Sequence, residues 1–270
     1  MNDFIEVGYN PPSEVRDKFV DSGYPNPSSD TEIHFYKSES CIVPELQQAI
    51  NATVLISESM DKPGGSGIII LHEGRKFLVT NHHVAGYQSD AERLYCFYRS
   101  SSGKVQQVNL GTLTRLVDSS IAKDRNVHSG DVALFEFEGD NEGVELSDDD
   151  LKPGSRKVAV ASGFPGKFLD TVGTRPLLSV GYVSVLERKS ESPYLKELIE
   201  KHEIEAPKTL PKMLFSGRIM RGNSGGPLID RQGKVLGICR GPYGTLGKET
   251  GLEEFIDVRQ AIKEVSILSI

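Results

Sequence analysis

The strongest constraint on the fold is a pair of runs, Gly67-Ile68-Ile69-Ile70-Leu71 and Lys76-Phe77-Leu78-Val79-Thr80, that flank Glu73-Gly74. Two β-branched, apolar segments on either side of a Gly-containing turn predict an antiparallel hairpin. The same texture continues along the chain. Residues 94–98, 105–110, 131–137, 157–161, 178–186, 213–217, 227–229 and 235–239 all read as short strands between turn residues. Many short strands with few helices predict an all-β chain built of antiparallel barrels or sandwiches.

Helices are few. Residues 44–50 suit one short helix. Ser192-Pro193 supplies a cap and a first-turn proline ahead of Leu195, Leu198 and Ile199. Asp257 suits the cap of a C-terminal helix whose Val258, Ala261, Ile262 and Val265 form an apolar stripe. Before residue 44, Pro11, Pro12, Pro25 and Pro27 interrupt any period, so residues 1–43 read as an extended, partly irregular extension. The charged stretch 138–154, with Asp148-Asp149-Asp150, is the natural linker between two lobes, expected to span 44–145 and 146–270. No internal repeat recurs at a fixed period.

Charge and composition narrow the partners. With 31 Lys+Arg against 38 Asp+Glu the formal net charge is −7, which argues against a nucleic-acid binder that works by displacing counterions. No apolar run approaches the roughly 20 residues of a membrane helix, so no membrane partner is expected. Met-Asn-Asp-Phe-Ile-Glu lacks the basic start and apolar stretch of a secretion signal. Cys41, Cys96 and Cys239 are odd in number and widely spaced, without a CxxC pair. Together these features predict a cytoplasmic protein with reduced thiols, no structural metal and no cofactor.

Three segments carry chemistry. In Gly222-Asn223-Ser224-Gly225-Gly226-Pro227 a serine sits among glycines that let the backbone bend. Acyl transfer needs an activated hydroxyl and donors for the developing oxyanion, and the amides of Gly222 and Ser224 are the candidate donors. The alternative is a Gly-rich turn with an incidental serine. Thr80-Asn81-His82-His83-Val84-Ala85 follows the strand that ends at Val79 and offers a general base at a strand end, with either histidine open to the role. Asp131-Val132-Ala133-Leu134-Phe135 opens an apolar strand with a carboxylate suited to accept from an imidazole N–H, or to serve only as a turn residue.

Their order excludes competitors. The serine segment also satisfies G-x-S-x-G, but that elbow places its acid and histidine after the serine, and the last histidine here is His202. Subtilisin order puts aspartate before histidine, and no comparable Asp motif precedes His83. What remains is histidine, then Asp131, then Ser224.

These residues resemble the chymotrypsin/trypsin-like serine peptidases, whose three signature blocks look like Thr80-x-x-His83, Asp131-Val132-Ala133-Leu134 and Gly222-Asn223-Ser224-Gly225-Gly226-Pro227-Leu228, in that order. Matching Thr80 puts the base on His83. The resemblance, which runs from about residue 54 to 265, implies two antiparallel Greek-key β-barrels with a short helix in the second lobe and a C-terminal helix. It implies a crevice site in which His83 and Asp131 come from the first barrel and Ser224 from the second. By the same likeness Arg218, Met220, Arg221, Arg240 and Gly241 fall in segments that line the primary substrate pocket, where an inward arginine would favour an acidic residue before the scissile bond.

Two departures from secreted members matter. Val84 stands where they carry a bridged cysteine, and Asn223 replaces the aspartate that receives a new N-terminus on zymogen cleavage. A buried ammonium would lack its partner, so activity without such cleavage is expected. Both features look like the HtrA/Deg-type subset, here expected to lack a PDZ domain because the chain stops at Ile270. The function implied is endopeptidase cleavage of protein or peptide substrates, with a regulatory protein partner or the extension as candidate controls. The competing reading is a latent or inactive peptidase-fold binding or scaffold protein.

Overall fold

The computed structural model describes residues 44–86, 88–118, 131–152, 156–166, 176–185, 212–242, 252–259 and 262. Residues 1–43 and the helix expected after Ser192 lie outside them.

The hairpin read from the sequence is present as β2 (Gly65–His72) and β3 (Arg75–Thr80), paired with Ile68 opposite Val79 and His72 opposite Arg75. Its two-residue loop has φ of 50° at Glu73 and 77° at Gly74. Positive φ at both central positions matches the twist of the flanking strands, so the short loop sets the register.

Around this hairpin an eight-stranded sheet forms. Its path runs β5 (Val105–Asn109), β4 (Tyr95–Arg99), β1 (Thr53–Ser57), β2, β3, β7 (Ala133–Glu136) and β6 (Arg115–Asp118). The short β8 (Val144–Glu145) adds in parallel to β2, so the stretch joining the lobes is itself packed. The second lobe is a closed antiparallel barrel in the order β10 (Leu177–Val185), β11 (Lys212–Phe215), β14 (Glu253–Ile256), β13 (Val235–Pro242), β12 (Pro227–Ile229), β9 (Lys157–Gly163). The all-β, two-unit antiparallel architecture is the one the resemblance implied. Strands β1, β6, β8 and β14 are additions to the sequence reading.

Side-chain alternation builds two cores. In β11, Met213 and Phe215 point into the barrel, where they meet Val183, Leu228 and Phe255. The next residues along, Ile229 and Ile256, face outward and join Val54, Ile68, Phe77 and Leu134 of the first sheet. Burial of this shared layer, at roughly 25 cal/mol per Å² of apolar surface, helps hold the lobes together. Polar contacts add to it, as Thr53 Oγ1 of β1 lies 3.0 Å from Ser162 Oγ of β9.

Both ends of the described chain carry helical turns, and Ala261 and Val265 of the expected C-terminal stripe lie outside the described residues. The helix Pro44–Ala52 buries Ala49, Ile50 and Ala52. Asp257 Oδ1 accepts from the Arg259 N–H at 3.0 Å, the geometry of a helix cap, and the Ile262 N–H donates to Val258 O at 3.1 Å in the one turn described there.

Candidate active site

Strand pairing brings histidine and aspartate together. Thr80 at the end of β3 is registered against Ala133 at the start of β7. His83 lies three residues beyond one partner and Asp131 two residues before the other, so antiparallel geometry puts both at one end of the sheet. The buried Asn81 reinforces the junction: its Nδ2 donates to Asp131 O at 2.8 Å, and its carbonyl accepts from the Ala85 N–H at 3.1 Å, starting the helical turn His82–Ala85.

On that turn the two histidines separate. His83 Nδ1 lies 2.6 Å from Asp131 Oδ2, and the His83 backbone N–H donates to Asp131 Oδ1 at 3.0 Å. An ionised carboxylate only accepts, so the proton of a neutral His83 ring sits on Nδ1 and leaves Nε2 with its lone pair. His82 turns away: its Nδ1 lies 3.1 Å from Arg115 Nη2, a donor-only group. The ambiguity left by the adjacent pair is resolved geometrically, since only His83 meets the aspartate. Burial pushes the Asp131 carboxyl up, but the His83 hydrogen bonds and the positive charges of His83 and Arg240 outweigh it and hold the group below its ordinary value.

Ser224 is held against this end of the first sheet from the second lobe. Its carbonyl accepts from the Ser66 N–H at 2.8 Å, and Gly225 and Gly226 continue into β12. Gly225 has φ of +83°, and a Cβ there would sit 2.1 Å from Ser66 O and 2.3 Å from Thr80 Oγ1. Only glycine lets the serine loop pack this closely on the strand that leads to His83. Among the described residues, the His83 ring and Ser224 Oγ share no hydrogen bond.

The orientation of the Arg221–Gly222 peptide decides whether an oxyanion can be bound. The Arg221 carbonyl accepts from the Gly166 N–H at 3.0 Å, and the Gly222 carbonyl accepts from Ser66 Oγ at 2.6 Å. A trans peptide points its N–H opposite to its carbonyl, so pinning Arg221 O against Gly166 turns the Gly222 N–H to the other side. Gly222 has φ of +102°, and a Cβ there would lie 2.4 Å from Phe164 O. Among the described residues, the N–H groups of Gly222 and Ser224 donate no backbone hydrogen bond.

Ser66 was not among the residues singled out from the sequence, yet every polar group it has is used. Its N–H meets Ser224 and its carbonyl accepts from Thr80 Oγ1 at 2.6 Å. Its hydroxyl donates to Gly222 O and accepts from the Phe164 N–H at 2.8 Å. One fully buried serine thus binds the histidine strand, the serine loop and the end of β9. The only hint was its place in Gly64-Gly65-Ser66-Gly67, a run that marks close backbone approach.

The expected pocket residues divide. Arg218 and Met220 are half-buried and Arg221 is exposed, all on the approach to Gly222. Gly241 has φ of +142° at an irregularity in the β13–β14 pairing. Arg240 is engaged elsewhere: its Nη1 pairs with Glu254, and its Nε lies 3.9 Å from Asp131 Oδ2. Asn223 is buried with its Oδ1 unpartnered among the described residues. No group of three or more His, Cys, Asp or Glu side chains suited to a metal occurs among the described residues.

Comparison with known proteins finds similar sequences and folds. A family model described as a trypsin-like peptidase domain matches residues 65–238. The serine protease Do-like HtrA of Bacillus subtilis (strain 168) is 27% identical over 183 residues, covering 67% of this chain and 34% of that protein. The probable periplasmic serine endoprotease DegP-like of Marinomonas sp. (strain MWYL1) is 28% identical over 206 residues, covering 76% of this chain and 35% of its own. The chain therefore matches only about a third of the length of these curated relatives. Among solved structures, the HtrA-type protease AlgW with tripeptide superposes with a TM-score of 0.53 at 18% identity, covering 83% of this chain and 62% of that one. Deg5 gives a TM-score of 0.53 at 20% identity, covering 81% and 89%.

Proposed function

The chain belongs to the trypsin-like peptidase family, and from that premise we propose that it is a serine endopeptidase working through His83, Asp131 and Ser224. The observation that carries the reading is the His83 Nδ1–Asp131 Oδ2 contact of 2.6 Å beside a serine loop whose Arg221 carbonyl is held away by Gly166.

In this mechanism Ser224 Oγ attacks the carbonyl carbon of the scissile peptide while His83 Nε2 takes the hydroxyl proton. Asp131 fixes the ring orientation and stabilises the imidazolium. The Gly222 and Ser224 amides receive the oxyanion, a contribution of about 3 kcal/mol per donor in comparable sites. The proton then passes to the leaving amine, an acyl-enzyme remains, and water activated by the same base releases it. The base meets Oγ in the substrate complex, since such contacts are often long in the free enzyme. No step calls for a metal or cofactor.

The latent, binding-only reading requires the Arg221–Gly222 peptide to flip. That would break the Gly166–Arg221 hydrogen bond, which favours the competent form. A regulatory partner or the segment before residue 44 would act at this bond. The compartment is proposed as cytoplasmic: Cys96 and Cys239 are free, fully buried thiols whose ionisation burial pushes up, which suits a reducing environment.

Incubation with a proteome-derived peptide library tests the function. New internal termini are expected with the wild-type chain; a library left uncut after prolonged incubation at micromolar protein contradicts it.

A further inference from the structure

The oppositely charged side chains behind Asp131 form a connected row. Arg240 Nε stands 3.9 Å from Asp131 Oδ2, the oxygen that also meets the His83 ring, and Arg240 Nη1 pairs with Glu254. Lys212 Nζ lies 3.2 Å from the same Glu254 oxygen. With His83 protonated, the row His83, Asp131, Arg240, Glu254, Lys212 alternates in sign across five places: the turn after β3, the lead-in to β7, then β13, β14 and β11. Glu254 is only 8% exposed and Asp131 12%, so these charges are screened much less than surface pairs. Among the described residues, the other ionisable groups at the histidine turn include His82 and Arg115, which contact one another, and Asp90, whose carboxylate lies beside Gly86.

We propose that Arg240 is a positioning residue for the His83–Asp131 couple, a guanidinium that Glu254 holds against the carboxylate so as to limit its pull on the imidazolium. This deepens the proposed function, resting on it only for the role given to the couple. The geometry has a definite electrostatic consequence. Asp131 favours the protonated ring, whereas Arg240 repels it and competes for the same Oδ2 oxygen. Arginine suits the task because its planar fork engages Glu254 through Nη1 while Nε faces the aspartate. These contacts engage Nη1 and Nε of Arg240, one of the arginines named as candidates for the substrate pocket.

NMR titration of the His83 ring protons in the full chain, assigned by their absence in His83→Gln, tests the proposal without requiring turnover. In Arg240→Gln the midpoint is expected to rise by about half a unit to one unit, the size of one partly offset charge at this range. In Glu254→Gln it is expected to fall, because Arg240 then acts uncompensated. Opposite signs separate a charge effect from loosened packing, which would move both variants the same way. Arg240→Lys, which keeps the charge, is expected to stay nearer the wild type than Arg240→Gln. A midpoint unmoved or lowered in Arg240→Gln overturns the proposal. If that variant does not fold, an unmoved or raised midpoint in Glu254→Gln overturns it instead. The acid limb of kcat/KM should follow the same shifts. A chain that shows the shifts without turnover keeps the positioning role and loses the peptidase reading, whereas turnover with an unmoved midpoint does the reverse.

Discussion

Replacing Ser224 by alanine should lower kcat on a peptide amide by about 10⁶-fold, and His83→Ala should cost about as much. The double variant should be no slower than either single one. A hydroxyl without a base is almost as ineffective as no hydroxyl, because His83 Nε2 is the acceptor that the Asp131 contact leaves free. What survives in all three is substrate binding and the oxyanion donors at Gly222 and Ser224, whose backbone the substitutions leave in place. Ser66 and Gly166 hold that backbone through main-chain carbonyls, not through the Ser224 side chain. Steady-state rates for the three variants, with contaminating protease excluded by active-site titration, decide this. Losses that simply multiply would mean the two side chains work separately.

Asp131→Asn should reduce kcat by about 10⁴-fold with little change in KM, for a reason specific to the bonding here. The wild-type carboxylate accepts twice, from the His83 backbone N–H at 3.0 Å and from the ring Nδ1 at 2.6 Å. An asparagine has one accepting oxygen. If the oxygen stays with the backbone N–H, the amide NH₂ faces the ring and forces the proton onto Nε2, where it blocks base catalysis. If the amide turns over, the backbone N–H loses its acceptor and the helical turn carrying His83 shifts. In the first case the ring stays in place but cannot accept from Ser224; in the second it keeps its Nδ1 proton but is displaced from Ser224. Comparison of kcat and KM on one amide substrate checks the outcome; an activity within tenfold of wild type would remove Asp131 from the mechanism.

The architecture was legible wherever local pattern and tertiary demand coincide. The β2–β3 hairpin could be read because Glu73-Gly74 sets a two-residue loop and the flanking runs are apolar on both faces. Strand β14 was not, because Glu253-Glu254-Phe255-Ile256 opens with two carboxylates that look like a solvent turn. Glu254 is buried only because Arg240 and Lys212 reach it from neighbouring strands, which no local window reveals. Strand β6 escaped for a related reason, since Arg115-Leu116-Val117-Asp118 is too short and too charged at its ends to stand out. The same divide runs through the site. His83, Asp131 and Ser224 were found by their order along the chain, whereas Ser66 acts across 156 positions of sequence on Gly222 and gives only a glycine-rich hint. The resemblance made Arg240 a pocket candidate, and its contacts with Glu254 and Asp131 reach across strands that no local window joins.

The most direct test is to expose the full chain to a fluorophosphonate at neutral pH and map the modified residue by mass spectrometry. Attack by an activated Oγ displaces fluoride and leaves a stable phosphonate ester, so a single adduct on Ser224, absent in Ser224→Ala and strongly slowed in His83→Ala, is the expected result. A chain that remains unmodified, or that reacts equally well without His83, would contradict a nucleophile on one lobe served by a base on the other.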